Sequence, residues 1–220
     1  ALFVQGIPVH QMASGDLSSQ MSLVDDYYRH LITIMSSKQI AFSEKSLEKT
    51  NRLLAELNIK PSSVHFPNPT LSDLDLTNDE DTNQDYDLVL MHPQSLSREG
   101  TRQDITTVLS LLNNDKKTFV IRGNKDKNSD LWEQTWNQLT NSRQNIKIYD
   151  NLKKEKFINL LRNADRFISN SSCSYYEAPI FLDKNKIVRV GRRNKDREIV
   201  NYKVEDLKSA PKIVDFILQS

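Results

Sequence analysis

The sequence predicts an α/β fold in which parallel β-sheets are covered by helices on both faces. Short apolar runs alternate with amphipathic segments along nearly the whole chain, and this alternation is typical of parallel sheets with helical connections. The apolar runs are continuous instead of alternating between polar and apolar residues, as expected of strands that are buried on both faces. No internal repeat is evident in the sequence.

The predicted strands share a short apolar run bounded by polar or turn-forming residues. In chain order they are GIPVHQM, KQIAFS, VHFP, YDLVLMH, KTFVIRG, NIKIYD, DRFISN and KIVRVG. The segments between them have the apolar spacing of amphipathic helices. These helices are predicted near residues 24–36, 44–57, 102–113, 130–140, 153–164, 174–182 and 211–219.

The acidic segment SDLDLTNDEDTNQDYD, at residues 72–87, contains few residues that could enter a core. Such a segment is either a surface loop or a linker between two domains. The strand–helix pattern restarts directly after it, so we predict a first domain at 1–75 and a second at 76–220. The first is small for an α/β unit and is expected to be incomplete, with the last helix able to pack back on it.

Composition limits the classes of partner. The 30 Lys and Arg residues nearly balance the 29 Asp and Glu residues, which gives no electrostatic reason to expect a nucleic acid or an anionic membrane as partner. The single cysteine, Cys173, excludes an intramolecular disulfide and fits a reducing compartment. No run approaches the roughly 20 apolar residues that span a bilayer. We therefore expect a cytoplasmic protein.

The segment VDDYYRHLITIMS predicts a helix with a continuous apolar stripe. The stripe consists of Val24, Tyr27, Tyr28, Leu31, Ile32 and Met35. Beside it, Asp25 and Arg29, and Asp26 and His30, are spaced four residues apart. These are either exposed helix salt bridges or a carboxylate and an imidazole able to move protons to and from a substrate.

Polar residues follow three of the predicted strands. His92 ends YDLVLMH, Asn124 follows Gly123 after the next strand, and Asn170 ends RFISN. Ligands of open parallel sheets bind outside the carboxyl ends of the strands, so these side chains are candidates for one site. A structural histidine and an ordinary turn are the alternatives for the first two.

The stretch RFISNSSCSYYEAPIF, at residues 166–181, poses the same choice. Ser171 and Ser172 precede a predicted helix, whose free N–H groups favour an anion such as a diphosphate. Glu177 could accept hydrogen bonds from ribose hydroxyls. Alternatively, Ser174-x-x-Glu177 is a capping box that only begins the helix.

The turn VGRRNKDR places Arg193 and Arg197 after the last predicted strand. A guanidinium there could bind phosphate oxygens, and a solvated basic turn is the alternative. The four histidines and one cysteine do not form a metal-ligand pattern. Neither a P-loop nor a G-x-G-x-x-G motif is present, so we expect no metal and no cofactor.

Taken in order, these motifs resemble the UDP-N-acetylglucosamine 2-epimerases. The motifs that carry the resemblance are GIPVHQMASGD, DDYYRHLITIMS, LMHPQS, RGNKD, ISNSSCSYYEAPIF and VGRRNKDR. The family has the twin Rossmann-like architecture of the glycosyltransferase-B type, with the nucleotide sugar between its domains. The HP pair and the arginine-rich turn resemble the hydrolysing branch, which converts UDP-GlcNAc to ManNAc and UDP for sialic acid or related sugar synthesis.

The resemblance also implies roles for particular residues. It implies UDP or UDP-sugar binding by Ser171 and Ser172 at the phosphates, Glu177 at the ribose, Asn124 near the uracil, His92, Arg193 and Arg197 near the diphosphate, and Arg29 and His30 beside the sugar. Asp25 is implied as the acid or base, with Asp16 and His92 as further catalytic candidates. Relatives are often homo-oligomers, so a homo-oligomer is expected.

The chain departs from the family pattern at several places. The first cleft motif, usually H-I-E-G-G-E or H-I-H-G-G-E, corresponds to residues 11–16, where Ala13 stands at the place of the expected acid and Asp16 keeps a carboxylate. Ser174 replaces a glycine. About the first hundred residues of such an enzyme are also absent, so we expect either a truncated epimerase or a degenerate relative. The alternatives are a catalytically impaired UDP-sugar binding protein and a glycosyltransferase of the same architecture.

Overall fold

The computed structural model describes residues 5–18, 24–72, 85–199 and 208–219. The chain divides into two compact units. Unit 1 comprises Ala1–Leu74 and Asp196–Ser220, and unit 2 comprises Asp75–Lys195. The predicted boundary at 75/76 lies beside the first division, and whether the units are independent domains stays a prediction. Most of the predicted linker, residues 73–84, lies outside the described residues.

The described secondary structure follows the predicted order. The strands are β1 (His10–Met12), β2 (Lys38–Ala41), β3 (Ser63–His65), β4 (Tyr86–Leu90), β5 (Lys117–Ile121), β6 (Ile146–Tyr149), β7 (Arg166–Ser169) and β8 (Ile187–Arg189). The helices are α1 (Val24–Met35), α2 (Glu44–Glu56), α3 (Arg98–Leu111), α4 (Ser129–Ser142), α5 (Lys154–Arg162), α6 (Cys173–Tyr176), α7 (Ala178–Phe181) and α8 (Ala210–Leu218). Short 3-10 helices lie at Pro69–Leu71 and Lys184–Lys186.

Unit 1 contains a three-stranded parallel sheet in the order β1-β2-β3. Its apolar core joins Ile40 and Phe42, at the end of β2, to Ile213 of α8. Phe216 of α8 also packs edge-on against Phe66, with 5.9 Å between the ring centroids. The last helix therefore belongs to the core of unit 1.

Within unit 1, helix α1 packs against the rest of the unit through polar side chains. Thr33 Oγ1 donates to Gln11 Oε1 (2.6 Å), and Gln11 Nε2 donates to the Arg29 carbonyl (3.1 Å). The apolar stripe lies on the other side: the described side chains of Tyr27, Tyr28, Leu31, Ile32 and Met35 are 38% to 61% exposed. The face of this helix that packs is thus its polar face, because the buried Thr33 bonds to Gln11 of β1 and the buried Asp26 bonds to Ser18. Val24 has no described side chain.

Unit 2 contains a five-stranded parallel sheet in the order β6-β5-β4-β7-β8. This is the 3-2-1-4-5 strand order of a Rossmann-like sheet, with β4 as its first strand. Its core combines strand residues such as Val89 and Ile168 with Trp132 and Trp136 of α4, whose rings stack with centroids 5.0 Å apart. The predicted α/β fold with parallel sheets and intervening helices is confirmed.

The predicted helix at 174–182 is divided into α6 and α7, with Glu177 between them. Pro179 lies in the first turn of α7, where its missing N–H costs no hydrogen bond. The capping-box interpretation of Ser174 is wrong. The helix begins earlier, at Cys173, so Ser174 lies inside the first turn and its Oγ donates to the Ser171 carbonyl (2.7 Å).

None of the helices in the described ranges combines the length and the apolar composition needed to cross a bilayer.

Candidate functional site

In unit 2 the chain winds from β4 first to one side of the sheet and then returns to the other side. Strands β5 and β6 lie on one side of β4, and β7 and β8 lie on the other. In such sheets the crevice that binds ligands opens outside the carboxyl ends of the strands at this switch point. His92 follows β4 and Asn170 follows β7, so both residues lie at the edge where a ligand is expected.

His92 is buried and held in one protonation state. Its Nδ1 accepts a hydrogen bond from the Asn124 backbone N–H (3.0 Å), which leaves the proton on Nε2. Burial, followed by the charge of Arg193, lowers the pKa of His92 to about 3. The imidazole is therefore neutral at physiological pH. Such a group suits a hydrogen-bond donor to a phosphate oxygen better than a group that exchanges protons.

Gly123 allows this histidine to approach the next strand. A Cβ at Gly123 would lie 2.1 Å from the Met91 carbonyl oxygen and 3.0 Å from His92 Nδ1. No side chain fits there, so the loop after β5 can come close enough for the Asn124 N–H to reach the imidazole. The Asn124 side chain itself belongs to an exposed residue.

Asn170 holds the backbone of His92 at both polar groups. Its Oδ1 accepts from the His92 N–H (2.8 Å), and its Nδ2 donates to the His92 carbonyl (2.8 Å). From the sequence, Asn170 is predicted only as a residue at the end of a strand, without a role of its own. The signal that could have identified it is its place after β7, beside the strand that carries His92.

A buried carboxylate on α3 completes this network, and sequence reasoning missed it. Asp104 Oδ2 accepts from Gln94 Nε2 (3.0 Å) and from Asn170 Nδ2 (3.1 Å). Burial raises the pKa of Asp104, while the hydrogen bonds from Gln94 and Asn170 and the charge of Arg193 act against the rise. Its only signal in the sequence is a charged residue on the buried face of a helix.

The turn after β8 brings Arg193 to the same edge. Arg193 is buried, and its Nη2 lies 3.9 Å from Asp126 Oδ2. The neighbouring Asn194 donates from Nδ2 to the Asn170 carbonyl (2.6 Å). The structure therefore connects the turn of Arg193 to the residue that holds His92.

Ser171 and Ser172 begin the segment after β7. The Ser171 N–H donates to Ser169 Oγ (3.0 Å), and Ser172 is the N-cap residue of α6 without a side-chain cap hydrogen bond. Glu177 is half-buried at the junction of α6 and α7. Burial, followed by the charge of Glu177, raises the pKa of the Cys173 thiol, which makes Cys173 a poor nucleophile.

Two of the predicted site residues of unit 1, Arg29 and Arg197, contact Asp16. The turn after β1 uses two positive φ angles, 58° at Ala13 and 69° at Gly15, and a Cβ at Gly15 would lie 2.0 Å from the Ser46 carbonyl oxygen. Beyond this turn, Asp16 Oδ2 accepts from Arg197 Nη1 (2.7 Å), and both side chains are buried. The Asp16 carboxylate is therefore neutralised by a cation.

The two aspartates at the start of α1 have different environments. Asp25 is exposed, whereas Asp26 is fully buried and accepts from the Ser18 N–H (3.0 Å) and the Ser18 hydroxyl. Arg29 pairs with Asp26 (3.6 Å) and donates to the Asp16 carbonyl (2.5 Å). Of the two alternatives for these residues, a salt bridge between Asp25 and Arg29 is not what the structure shows, because Arg29 pairs with Asp26.

The predicted residues are divided between the two units. Unit 2 holds His92, Asn124, Ser171, Ser172, Glu177 and Arg193, and unit 1 holds Asp16, Asp25, Arg29, His30 and Arg197. Arg193 and Arg197 come from one predicted turn but belong to different units. His30 is half-buried and lines a small cavity of unit 1 with Thr33 and Lys49.

Comparison with known proteins identifies similar sequences and structures. The family model described as UDP-N-acetylglucosamine 2-epimerase matches residues 1–215. A hydrolysing GDP/UDP-N,N'-diacetylbacillosamine 2-epimerase from Campylobacter jejuni is 28% identical over 93% of this chain and 56% of the relative. The polysialic acid biosynthesis protein P7 of Escherichia coli is 24% identical over 90% of this chain and 52% of the relative. The chain spans about half the length of these curated relatives.

Solved structures share the fold at lower sequence identity. The UDP-GlcNAc 2-epimerase of Neisseria meningitidis bound to UDP-GlcNAc superposes with a TM-score of 0.72 at 17% identity, covering 100% of this chain and 72% of the other. The Methanocaldococcus jannaschii enzyme in complex with UDP-GlcNAc and UDP gives a TM-score of 0.71 at 17% identity, with 100% and 71% covered.

Proposed function

Because this chain belongs to the UDP-N-acetylglucosamine 2-epimerase family, we propose that it is part of a hydrolysing 2-epimerase that converts UDP-GlcNAc to ManNAc and UDP. The observation that carries the proposal is the neutral His92, clamped by Asn170 at the switch point of the unit 2 sheet. The similarity to a relative named as hydrolysing supports this branch.

The proposed UDP site uses the polar groups at the carboxyl edge of unit 2. The His92 Nε2–H and the Arg193 guanidinium are proposed to bind the diphosphate, where donors and positive charge are favourable. Ser171 and Ser172 would add hydroxyl donors. Glu177 would accept from the ribose hydroxyls, and Asn124 would lie near the uracil. Because α6 has only four residues, its dipole contributes little, and the binding rests on these side chains.

The proposed chemistry has three steps. A base removes the proton at C2 of the sugar, UDP leaves from C1 by anti elimination, and water then adds at C1 as C2 is reprotonated on the opposite face. Asp25 is the proposed proton carrier, because the family resemblance assigns it that role and the residue is exposed to solvent. Arg29 and His30 are proposed to contact the sugar. Asp16 would act indirectly, since Arg197 occupies its carboxylate.

Incubation with UDP-GlcNAc in heavy water tests this function. We expect free UDP and ManNAc that carries deuterium at C2, because the C2 proton is lost and replaced from solvent. A parallel incubation with UDP-N,N'-diacetylbacillosamine tests the sugar named for the Campylobacter jejuni relative. Release of UDP only when an acceptor is added would contradict the epimerase and indicate a glycosyltransferase.

A second candidate is a UDP-sugar binding protein without turnover. Two observations favour it: Ala13 stands where the family motif has an acid, and the Asp16 carboxylate is paired with Arg197. Calorimetric binding of UDP with no product after prolonged incubation would support this candidate over the epimerase.

We further propose a cytoplasmic homo-oligomer, by analogy with the family. Light scattering of the purified chain tests the oligomeric state, and a monomer at micromolar concentration would contradict it.

A further inference from the structure

We infer that Asp104 is a positioning residue that fixes both His92 and the turn carrying Arg193 at the carboxyl edge of the unit 2 sheet. The inference rests on the proposed function, because the positions of these side chains matter for UDP binding only if they contact UDP. Asp104 lies on α3 and is 3% exposed, so it acts on a ligand only through its neighbours.

The buried face of α3 places this carboxylate. Ser97 caps the helix by accepting from the Gly100 N–H (2.9 Å), and Thr101, Asp104 and Val108 form the buried face at helical spacing. A buried carboxylate is costly unless its oxygens accept hydrogen bonds. Two amide side chains supply them, and each belongs to a loop at the edge of the sheet.

The first connection leads to His92. The Asn170 amide must present Oδ1 to the His92 N–H and Nδ2 to the His92 carbonyl, both at 2.8 Å. The second hydrogen of Nδ2 is donated to Asp104 Oδ2 (3.1 Å). An ionised carboxylate accepts hydrogen bonds and cannot donate them. Asp104 therefore favours the amide orientation of Asn170 in which Nδ2 lies between the carboxylate and the His92 carbonyl.

The second connection leads to Arg193. Gly191 has φ +69°, and a Cβ there would lie 2.1 Å from Asp104 Oδ1. The backbone of the turn therefore lies directly against the carboxylate, where no side chain fits. From the other end of the turn, Asn194 donates to the Asn170 carbonyl (2.6 Å). One carboxylate thus supports the turn at Gly191 and, through Asn170, at Asn194.

The third connection leads to the loop after β4. Gln94 Nε2 donates to Asp104 Oδ2 (3.0 Å), and the Gln94 N–H donates to Thr101 Oγ1 (2.9 Å). This loop follows His92 directly. Loss of Asp104 would therefore loosen the groups on both sides of the proposed diphosphate without removing any atom that touches it.

Asp104→Ala, compared with Asp104→Asn and with Asp87→Ala, separates positioning from general stability. Asp87 is a fully buried carboxylate at the start of β4, the strand that His92 follows, and it pairs with Arg166 and Lys116. It is therefore a matched control at the opposite edge of the sheet. Asp104→Asn keeps an oxygen that can accept from Gln94 and Asn170.

Two readouts are measured on the whole chain: the ring-nitrogen NMR signals of His92, assigned with His92→Gln, and UDP affinity by calorimetry. In Asp104→Ala we expect His92 to lose its single Nε2–H tautomer and its pKa to rise towards the ordinary range of a histidine. The affinity for UDP should fall about ten-fold. Asp104→Asn should stay within about three-fold of the wild type. Asp87→Ala should lose stability and keep the tautomer.

A folded Asp104→Ala that keeps the wild-type tautomer and titration would overturn the inference. If Asp104→Ala does not fold, Asn170→Ala decides, because it removes the same bridge, and an unchanged His92 tautomer there would equally overturn it. If the wild type does not bind UDP, the proposed function fails, while the NMR readout still supports or overturns the positioning role of Asp104.

Discussion

At the scale of single residues, the candidate site depends on an imidazole that stays neutral. The folded-state pKa of His92, about 3, lies below the roughly 6.5 of an unfolded histidine. Between these pH values the unfolded chain binds a proton that the folded chain does not. The free energy of unfolding must therefore rise with pH across this window, by at most about 1.4 kcal/mol per pH unit from this group.

Urea unfolding at about pH 5 and about pH 6.5 measures this contribution. We expect the wild type to lose more stability on acidification than His92→Gln, by about 1 to 2 kcal/mol. The glutamine variant is the control for all other titrating groups. Equal losses in the two proteins would contradict a buried, neutral His92.

Glu177 tests the ribose end of the proposed site. Because Ser174 does not cap the helix, Glu177 does not belong to a capping box. We expect Glu177→Ala to weaken UDP binding about ten-fold, as for the loss of a hydrogen bond to a charged acceptor. Calorimetry would measure this, with Glu155→Ala in the first turn of α5 as an exposed control. Unchanged affinity in Glu177→Ala would remove Glu177 from the site.

At the scale of elements, the start of α1 depends on one of two adjacent aspartates. Asp26 is fully buried, bonds to Ser18 and pairs with Arg29, whereas Asp25 is exposed. Removing the Asp26 carboxylate would take away the acceptor of the buried Ser18 donors and the ion-pair partner of Arg29, whose side chain is 30% exposed, and should cost about 1 to 3 kcal/mol.

We therefore expect Asp26→Ala to lower the free energy of unfolding by about 2 kcal/mol and Asp25→Ala by less than about 0.5 kcal/mol. Denaturant unfolding of both variants is the measurement. If the order is reversed, the inward face of α1 has been assigned to the wrong aspartate. Turnover by Asp25→Ala should fall sharply under the proposed chemistry, although its stability is unchanged.

The same contrast applies to apolar residues in unit 1. Leu31 of α1 is 55% exposed, whereas Ile213 of α8 is 3% exposed. Truncating a buried isoleucine loses transfer free energy and leaves a cavity, so Ile213→Ala should cost about 2 to 4 kcal/mol. Leu31→Ala should stay within about 0.5 kcal/mol. Thermal or urea unfolding distinguishes the two, and similar losses would contradict the exposure of the α1 stripe.

Most elements were predictable because their signals are local. Each described strand coincides with an apolar run, and most helix bounds differ from the prediction by only a few residues. The orientation of α1 was not predictable, since apolar spacing indicates a buried face by default. Here the hydrogen bonds that join Gln11 to Thr33 and to the Arg29 carbonyl determine which face of α1 packs inward. The division between α6 and α7 follows from Pro179, whose effect could have been anticipated.

At the scale of the whole molecule, the site was predictable only as far as strand ends identify it. His92 and Asn170 could be predicted to lie near each other because residues after parallel strands meet at one edge. Asp104 and Gln94 were missed, because their role depends on which helix packs beside β4 and β7. The separation of Arg193 from Arg197 likewise depends on where the chain passes from unit 2 to unit 1, which the turn sequence does not reveal.

Calorimetric titration of the whole chain with UDP tests most directly the claim that UDP binds beside His92, at the carboxyl edge of the unit 2 sheet. We expect one UDP per chain and a loss of about ten-fold or more in His92→Ala. Thr107→Ala, an exposed position on α3 whose hydroxyl bonds within its own helix, should bind as the wild type does. Absence of UDP binding by the wild type, or equal affinity in His92→Ala, would contradict the claim.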